Sequence, residues 1–257
     1  MSSLRQEVDI RVWAVATTYA SGYELPLHDH STTQLVYATR GVMTVHTRSG
    51  TWVVPAHRAV LVPSETEHRI AMSGEVEMRT VYFSTELPLA ASQCSVVNVS
   101  PLLRELVLYT VEKAPLYASE PSHAHLIGML VDQLEALPSI PLQLPSLQDP
   151  RAMRAAEWLR NHRGAGSSLD RIAHKVGASK RTLERLFLRE TAMSLGAWRQ
   201  QLRLLQALEL LAAGEPVTEV ALAVGYDSTS AFISRFRQVL GTTPGRYYER
   251  APTRRSR

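Results

Sequence analysis

Val220–Arg250 reads VALAVGYDSTSAFISRFRQVLGTTPGRYYER. Ala221 stands four residues before Gly225, and Phe232 and Phe236 follow at helical spacing. Two helices can cross closely only at a small residue, and glycine ends the first by taking a left-handed backbone. The stretch therefore predicts a short helix, a turn and a second helix that projects its outer face, which is a helix-turn-helix. The same design stands upstream in Leu169–Phe187, LDRIAHKVGASKRTLERLF, with Ala173, Gly177, Leu183, Leu186 and Phe187 in the matching roles. Core-packing helix pairs mimic a single such motif. Two copies are far harder to explain that way.

The first projecting helix offers Ser179 and Lys180 at its start and Arg181, Glu184 and Arg185 along it. Arg181 and Arg185 are i and i+4, so they point the same way. An arginine can donate two parallel hydrogen bonds to guanine O6 and N7, worth ~1–3 kcal/mol of discrimination. The second helix begins at Ser228 and offers Thr229, Ser230 and Ser234, short hydroxyls suited to base edges or phosphates. Arg235 and Arg237 flank them as expected phosphate contacts. Between the units, AWRQQLRLLQALELLAAG predicts a helix of roughly 20 residues, about 30 Å long. Successive major-groove faces lie ~34 Å apart, so one chain is expected to reach two adjacent grooves of duplex DNA.

The combination of Ala221, Gly225, Tyr226, Ser228, Phe232, Phe236, Gly241, Pro244 and Tyr247 resembles the signature of the AraC/XylS family of bacterial transcription factors. The resemblance covers roughly residues 151–250. It implies activation or repression of nearby operons, with RNA polymerase as a candidate partner. It also implies base-reading roles for Arg181, Glu184, Arg185, Thr229, Ser230 and Ser234.

Charge divides the chain in the same place. Residues 1–145 hold 9 Lys+Arg against 14 Asp+Glu, and residues 146–257 hold 19 against 10. Only the basic back half is suited to a polyanion. Helices are expected at 151–162, 168–176, 179–189, 194–213, 217–224, 229–240 and 244–249. Four prolines between Pro138 and Pro150 predict a linker over 138–150, since proline blocks helices and favours extended chain. The single cysteine, Cys94, excludes an intrachain disulfide and fits a reducing compartment. MSSLRQEVDIRVWAV carries charges where a signal peptide needs an apolar run, and no stretch reaches the ~18 apolar residues of a membrane helix. A cytoplasmic protein is the expectation.

The first ~90 residues alternate β-branched runs with turns, which predicts a small barrel or sandwich over residues 1–137. Helices should follow in 100–136. Their apolar faces, Leu102, Leu103, Leu106 and Val107 and then Leu126, Leu130, Val131 and Leu134, serve either as core or as a dimer seam. A homodimer seam is the expectation. The fold class is thus α+β, a β domain with flanking helices ahead of an all-α domain over 151–257.

Within GYELPLHDHSTTQLVYATRG, Gly22–Gly41, three polar residues share parity: His28, His30 and Gln34. On one strand they would face one cavity. Imidazoles suit Zn, Ni, Co, Cu or Fe, and His68 is available as a further ligand. Gly22, His28, His30, Gln34 and Gly41 keep the spacing of a first cupin motif, and Pro63, Glu65 and His68 resemble the second. The resemblance spans roughly residues 15–90. It implies a β-barrel metal site, with Gln34 where glutamate is usual and Glu65 where glycine is usual. The latter change is expected to alter the turn before His68. The alternative is a metal-free pocket for a small organic effector, floored by Trp13, Tyr37 and Trp52. Simple structural hydrogen bonding is a third reading.

Two whole-chain functions are weighed. One is a transcriptional regulator whose β domain senses a metal ion or small molecule. The other is a cupin metalloenzyme, of dioxygenase or isomerase type, with a helical appendage. The enzyme would have no use for two helix-turn-helix units. His46 and His57 lack partner spacing and are expected to be surface or hydrogen-bonded residues, and Cys94 a small buried hydrophobe.

Overall fold

A computed structural model describes residues 9–56, 58–89, 91–135, 142–162 and 168–249. His57 and residues 138–141 of the expected linker lie outside them. The chain divides into two compact units, residues 1–48 with 52–143, and residues 49–51 with 144–257.

The first unit contains strands β1 (Ile10–Tyr19), β2 (Glu24–His28), β3 (Thr33–Ala38), β4 (Val42–Thr47), β5 (Gly50–Pro55), β6 (Arg58–Val62), β7 (His68–Ser73), β8 (Val76–Phe83) and β9 (Ser95–Asn98). Helix α1 (Pro101–Lys113), strand β10 (Leu116–Tyr117) and helix α2 (Pro121–Glu135) follow. One sheet has the order β10-β1-β8-β3-β6-β9. In the second, β4 and β2 flank β7.

Parity sets what each face of the first sheet does. The register pairs Trp13 with Tyr82 and Tyr82 with Gln34, then Val15 with Thr80 and Thr80 with Val36 in the next row. Side chains alternate across a strand, so these residues share one face. On the other face, Val12, Leu35, Tyr37, Val81, Phe83 and Val97 join Leu103 and Val107 of α1 and Leu126, Leu130, Val131 and Leu134 of α2 in one apolar cluster. Burying each such side chain contributes roughly 1.5–3 kcal/mol. Two expectations change accordingly. The named faces of α1 and α2 are spent largely on this core rather than on a dimer seam, leaving Leu102 exposed. Tyr37 belongs to the cluster under the helices, because its odd position in β3 points it away from the face that holds Gln34.

The second unit is helical: α3 (Pro150–Asn161), α4 (Leu169–Lys175), α5 (Lys180–Thr191), α6 (Leu195–Ala212), α7 (Val217–Ala223), α8 (Thr229–Leu240) and α9 (Pro244–Glu249). A three-residue strand, β11 (Gln143–Pro145), precedes them inside the stretch expected as linker. Serines 168, 179, 194 and 228 cap α4, α5, α6 and α8, each accepting a backbone N–H three residues on. Among the described helices, none is long and apolar enough to cross a membrane.

Candidate functional site

Each helix-turn-helix closes as its residue types require. Gly177 and Gly225 have φ of 71° and 87°, the left-handed backbone that ends α4 and α7. Leu183, Leu186 and Phe187 bury one side of α5, with Phe187 edge-on to Trp198 of α6 at 5.3 Å. Phe232 and Phe236 do the same for α8, and Phe236 meets Tyr247 at 5.6 Å. The opposite sides are exposed: Arg181, Arg185 and Leu188 on α5, and Ser230, Ser234 and Arg237 on α8.

Several residues expected to touch DNA have partners within the chain. Glu184 accepts a hydrogen bond from the Leu195 N–H at 3.1 Å, which ties α5 to the start of α6. That carboxylate oxygen therefore helps hold the fold. Ser179 and Ser228 accept from Thr182 and Ala231 N–H groups as caps. Lys180 lies 4.0 Å from Asp170, both exposed, and half-buried Arg235 donates to Gln238. Thr229 is half-buried at the start of α8.

In the first unit, His28, His30 and His68 converge, with one ring nitrogen from each lying within 4.8 Å of the others. Shared parity does not bring them together. His28 ends β2, His30 lies in the turn between β2 and β3, and His68 begins β7 directly opposite His28. The turn before His68 keeps a left-handed residue, as glycine would supply, but Glu65 occupies it at φ 58°. Its N–H donates to the His30 carbonyl at 2.7 Å. A residue with a Cβ in that conformation carries about 1–2 kcal/mol of local backbone strain.

The ring tautomers follow from the backbone. His28 Nδ1 lies 2.6 Å from the Pro26 carbonyl and His68 Nδ1 lies 2.7 Å from the Thr66 carbonyl. A carbonyl can only accept, so each Nδ1 carries a proton, which leaves Nε2 as the nitrogen able to bind a metal. His30 Nε2 and His68 Nε2 are buried without a hydrogen-bond partner, as is Gln34 Oε1. Burial lowers the pKa of His30, reinforced by His28, and burial likewise lowers that of His68. His30 Nε2, His68 Nε2 and Gln34 Oε1 are thus buried polar atoms left without a hydrogen-bond partner.

Two cavities share His30 and Tyr82. The inner one, of about 300 Å³, is lined by His28, His30, Gln34, Thr80 and Tyr82 together with Val15, Leu25 and Met78 among others. The outer one, of about 390 Å³, adds Arg11, Trp13 and Asp29. Trp13, half-exposed, meets Tyr82 edge-on at 5.2 Å. Trp52 is buried in β5 and lines neither cavity, and Tyr37 lines neither, so of the three expected pocket aromatics only Trp13 faces one. Tyr82 was not anticipated. It accepts from Gln34 Nε2 at 3.3 Å, and burial raises its pKa, so its hydroxyl keeps a proton to donate. The Cys94 thiol is buried and pushed up to about 11, which suits an inert apolar residue. His46 is half-buried in β4 opposite Arg69.

Comparison with known proteins adds family evidence. The profile of the AraC-like ligand binding domain matches residues 14–195, and that of a helix-turn-helix domain matches residues 172–250. The HTH-type transcriptional regulator NimR of Escherichia coli (strain K12) is 35% identical over 228 residues, 89% of this chain and 84% of that protein. The HTH-type transcriptional regulator RipA of Corynebacterium glutamicum is 38% identical over 104 residues, 40% of this chain and 31% of that protein. Among solved structures, a DNA-binding transcriptional dual regulator from Escherichia coli K-12 is 34% identical, covers 42% of this chain and 98% of its own, and superposes with a TM-score of 0.36.

Proposed function

The chain belongs to the AraC family of DNA-binding transcriptional regulators, with a ligand-binding domain ahead of its helix-turn-helix domain, and from that premise we propose that it responds to a divalent transition metal held by His28, His30 and His68. One observation carries this reading: three imidazoles converge, and His30 Nε2 and His68 Nε2 are buried with no hydrogen-bond partner. Leaving buried acceptors bare costs ~1–3 kcal/mol each, and a cation relieves them together. The carbonyls of Pro26 and Thr66 act as the outer partners that fix ring orientation in metal sites. Zn, Ni, Co, Cu and Fe all suit imidazole, and Gln34 offers a neutral oxygen as a weaker fourth donor. The enzyme alternative is not favoured, because the matched relatives are transcriptional regulators.

Arg181 and Arg185, then Ser230, Ser234 and Arg237, are the residues we assign to duplex DNA. RNA polymerase is the partner at the promoter, the protein works in the cytoplasm, and a homodimer pairs two sets of readers. Signal leaves the effector site through the sheet. Gln34, Thr80 and Tyr82 alternate along β3 and β8 with Leu35, Val81 and Phe83, which pack under α1 and α2. A shift of the polar row therefore moves the helices. Elemental analysis of the purified protein tests the site: near-stoichiometric metal is expected in the wild type and its loss in His28→Ala and His68→Ala. Titration of operator DNA with and without zinc should then separate wild type from both variants. A metal-free wild type with an unchanged response in both variants removes the metal reading and leaves the pocket to an organic effector.

A further inference from the structure

The two projecting helices correspond residue by residue when counted from their caps. Ser179 caps α5 and Ser228 caps α8, and the buried Leu183 and Phe187 of the one match the buried Phe232 and Phe236 of the other, four and eight residues on. The exposed side chains then match as well: Arg181 with Ser230, Arg185 with Ser234 and Leu188 with Arg237, two, six and nine residues from the cap. On α5 these three stand within about 60° of arc at ~100° per residue, on the side away from the buried one. Where α8 presents the guanidinium of Arg237, α5 thus presents an apolar side chain, and Leu188 is 59% exposed. Among the described residues of the helical unit, the other large apolar side chains so exposed are Met153 and Leu222, and neither is on a projecting helix. Single surface leucines are ordinary. This one lies in line with two arginines on the face that meets DNA, and a leucine has no donor to offer a phosphate or a base edge. The major groove displays one apolar group, the C5-methyl of thymine.

We infer that Leu188 is a specificity-determining residue of the first helix-turn-helix, which reads a thymine through its methyl group. The inference rests on the assignment of Arg181 and Arg185 to duplex DNA under the proposed function. At ~1.5 Å of rise per residue, Leu188 lies about 4.5 Å along α5 from Arg185. Successive base pairs are ~3.4 Å apart, so the thymine stands about one or two base pairs from the base that Arg185 contacts. The second helix-turn-helix has no such contact at the matching position, where Arg237 instead meets a phosphate. The first is therefore sensitive to a methyl group at that step and the second to salt.

The full-length protein is first used to select its operator from a random duplex pool. Each thymine of the selected site is then replaced by deoxyuridine, which removes only the methyl group. One such replacement, beside the position where Arg185→Ala relaxes base preference, should weaken wild-type binding about fourfold, the value of burying one methyl-sized group. In Leu188→Ala the same replacement should have no effect, because the partner of the methyl is already gone. Leu188→Arg, which copies the second helix, should likewise be blind to the methyl and should steepen the fall of log affinity with log salt by about one. Leu188 is exposed, so neither change touches the core. Uracil effects of equal size in wild type and Leu188→Ala, or none in the wild type, overturn the role of Leu188, and Arg185→Ala still relaxing base preference leaves the arginines as readers. A pool in which no sequence is enriched overturns both.

Discussion

The two helix-turn-helix units share a design and differ in their equipment. The first exposes Arg181 and Arg185 on α5, and its Glu184 is tied to the next helix. The second exposes Ser230, Ser234 and Arg237 on α8. The first unit opens on a helix capped by a side chain, that of Ser168, whereas α7 opens at Pro216 with no side-chain cap. Their exits differ too: α5 ends at Ala192 with φ 57°, α8 at Gly241 with φ 78°. A motif can thus be duplicated in its core while its outer face and ends diverge. The core requires small and aromatic residues at fixed spacing, and the face answers only to the DNA.

The largest effect that can test this asymmetry is on DNA affinity. Arg185→Ala should cost ~1–3 kcal/mol of specific binding, the value of a bidentate contact to guanine. Ser234→Ala removes one neutral hydrogen bond and should cost only ~0.5–1.5 kcal/mol. Anisotropy titrations on operator and scrambled duplexes measure both. Equal losses from the two changes would break the assignment of the first unit as the stronger reader, and an Arg185→Ala protein with undiminished preference for the operator would remove Arg185 as a base contact.

The same contrast marks what could be read from the sequence. Repeated alanine–glycine and aromatic spacing gave both motifs and the helices of the second unit to within a few residues, because glycine and buried aromatics leave few ways to pack. The histidines were legible as a set for a less sound reason. Equal parity has no force across the turn at residues 29–32, and it is the pairing of His28 with His68 that joins them. Register was the hidden quantity. Tyr82 and Thr80 lie on the Gln34 face only because β8 pairs with β3 as it does, and Tyr37 faces the helices for the same reason. The sequence EMRTVYF shows alternation without saying which half turns inward. Nor could it show that Glu184 spends its carboxylate on Leu195.

The helix exits give a sharper and smaller test, because they should respond with opposite signs. Left-handed backbone strains any residue with a Cβ and costs glycine nothing. Ala192→Gly should therefore stabilise the protein by about 1 kcal/mol, and Gly241→Ala should destabilise it by about as much. Open space around a Cβ at Gly241 leaves backbone strain as the cause. Chemical denaturation of the two variants checks the pair. The same sign in both would mean that the exits are not equivalent after all.

Acid should loosen the surroundings of the first helix-turn-helix. Asp149 caps α3, and the Arg151 side chain, helped by its N–H, holds the Asp149 carboxyl at about 2. Burial pushes the Glu190 pKa up, but the N–H groups of Gln148 and Asp149 and the Arg189 guanidinium outweigh it, so the net shift is downward. Both groups are thus more acidic folded than unfolded. Between the two sets of values the unfolded chain binds more protons, so their stabilising contribution is complete above about pH 4.5 and drains away as pH falls toward about 2. Trp158 and Trp198 both lie beside the first helix-turn-helix, so tryptophan fluorescence followed from pH 5 downward reports on it selectively in a Trp13→Phe, Trp52→Phe background. Asp149→Asn should flatten that transition, since it removes one titrating group while keeping a side chain able to cap. A transition that keeps its full amplitude in Asp149→Asn would place the acid sensitivity elsewhere in the helical unit.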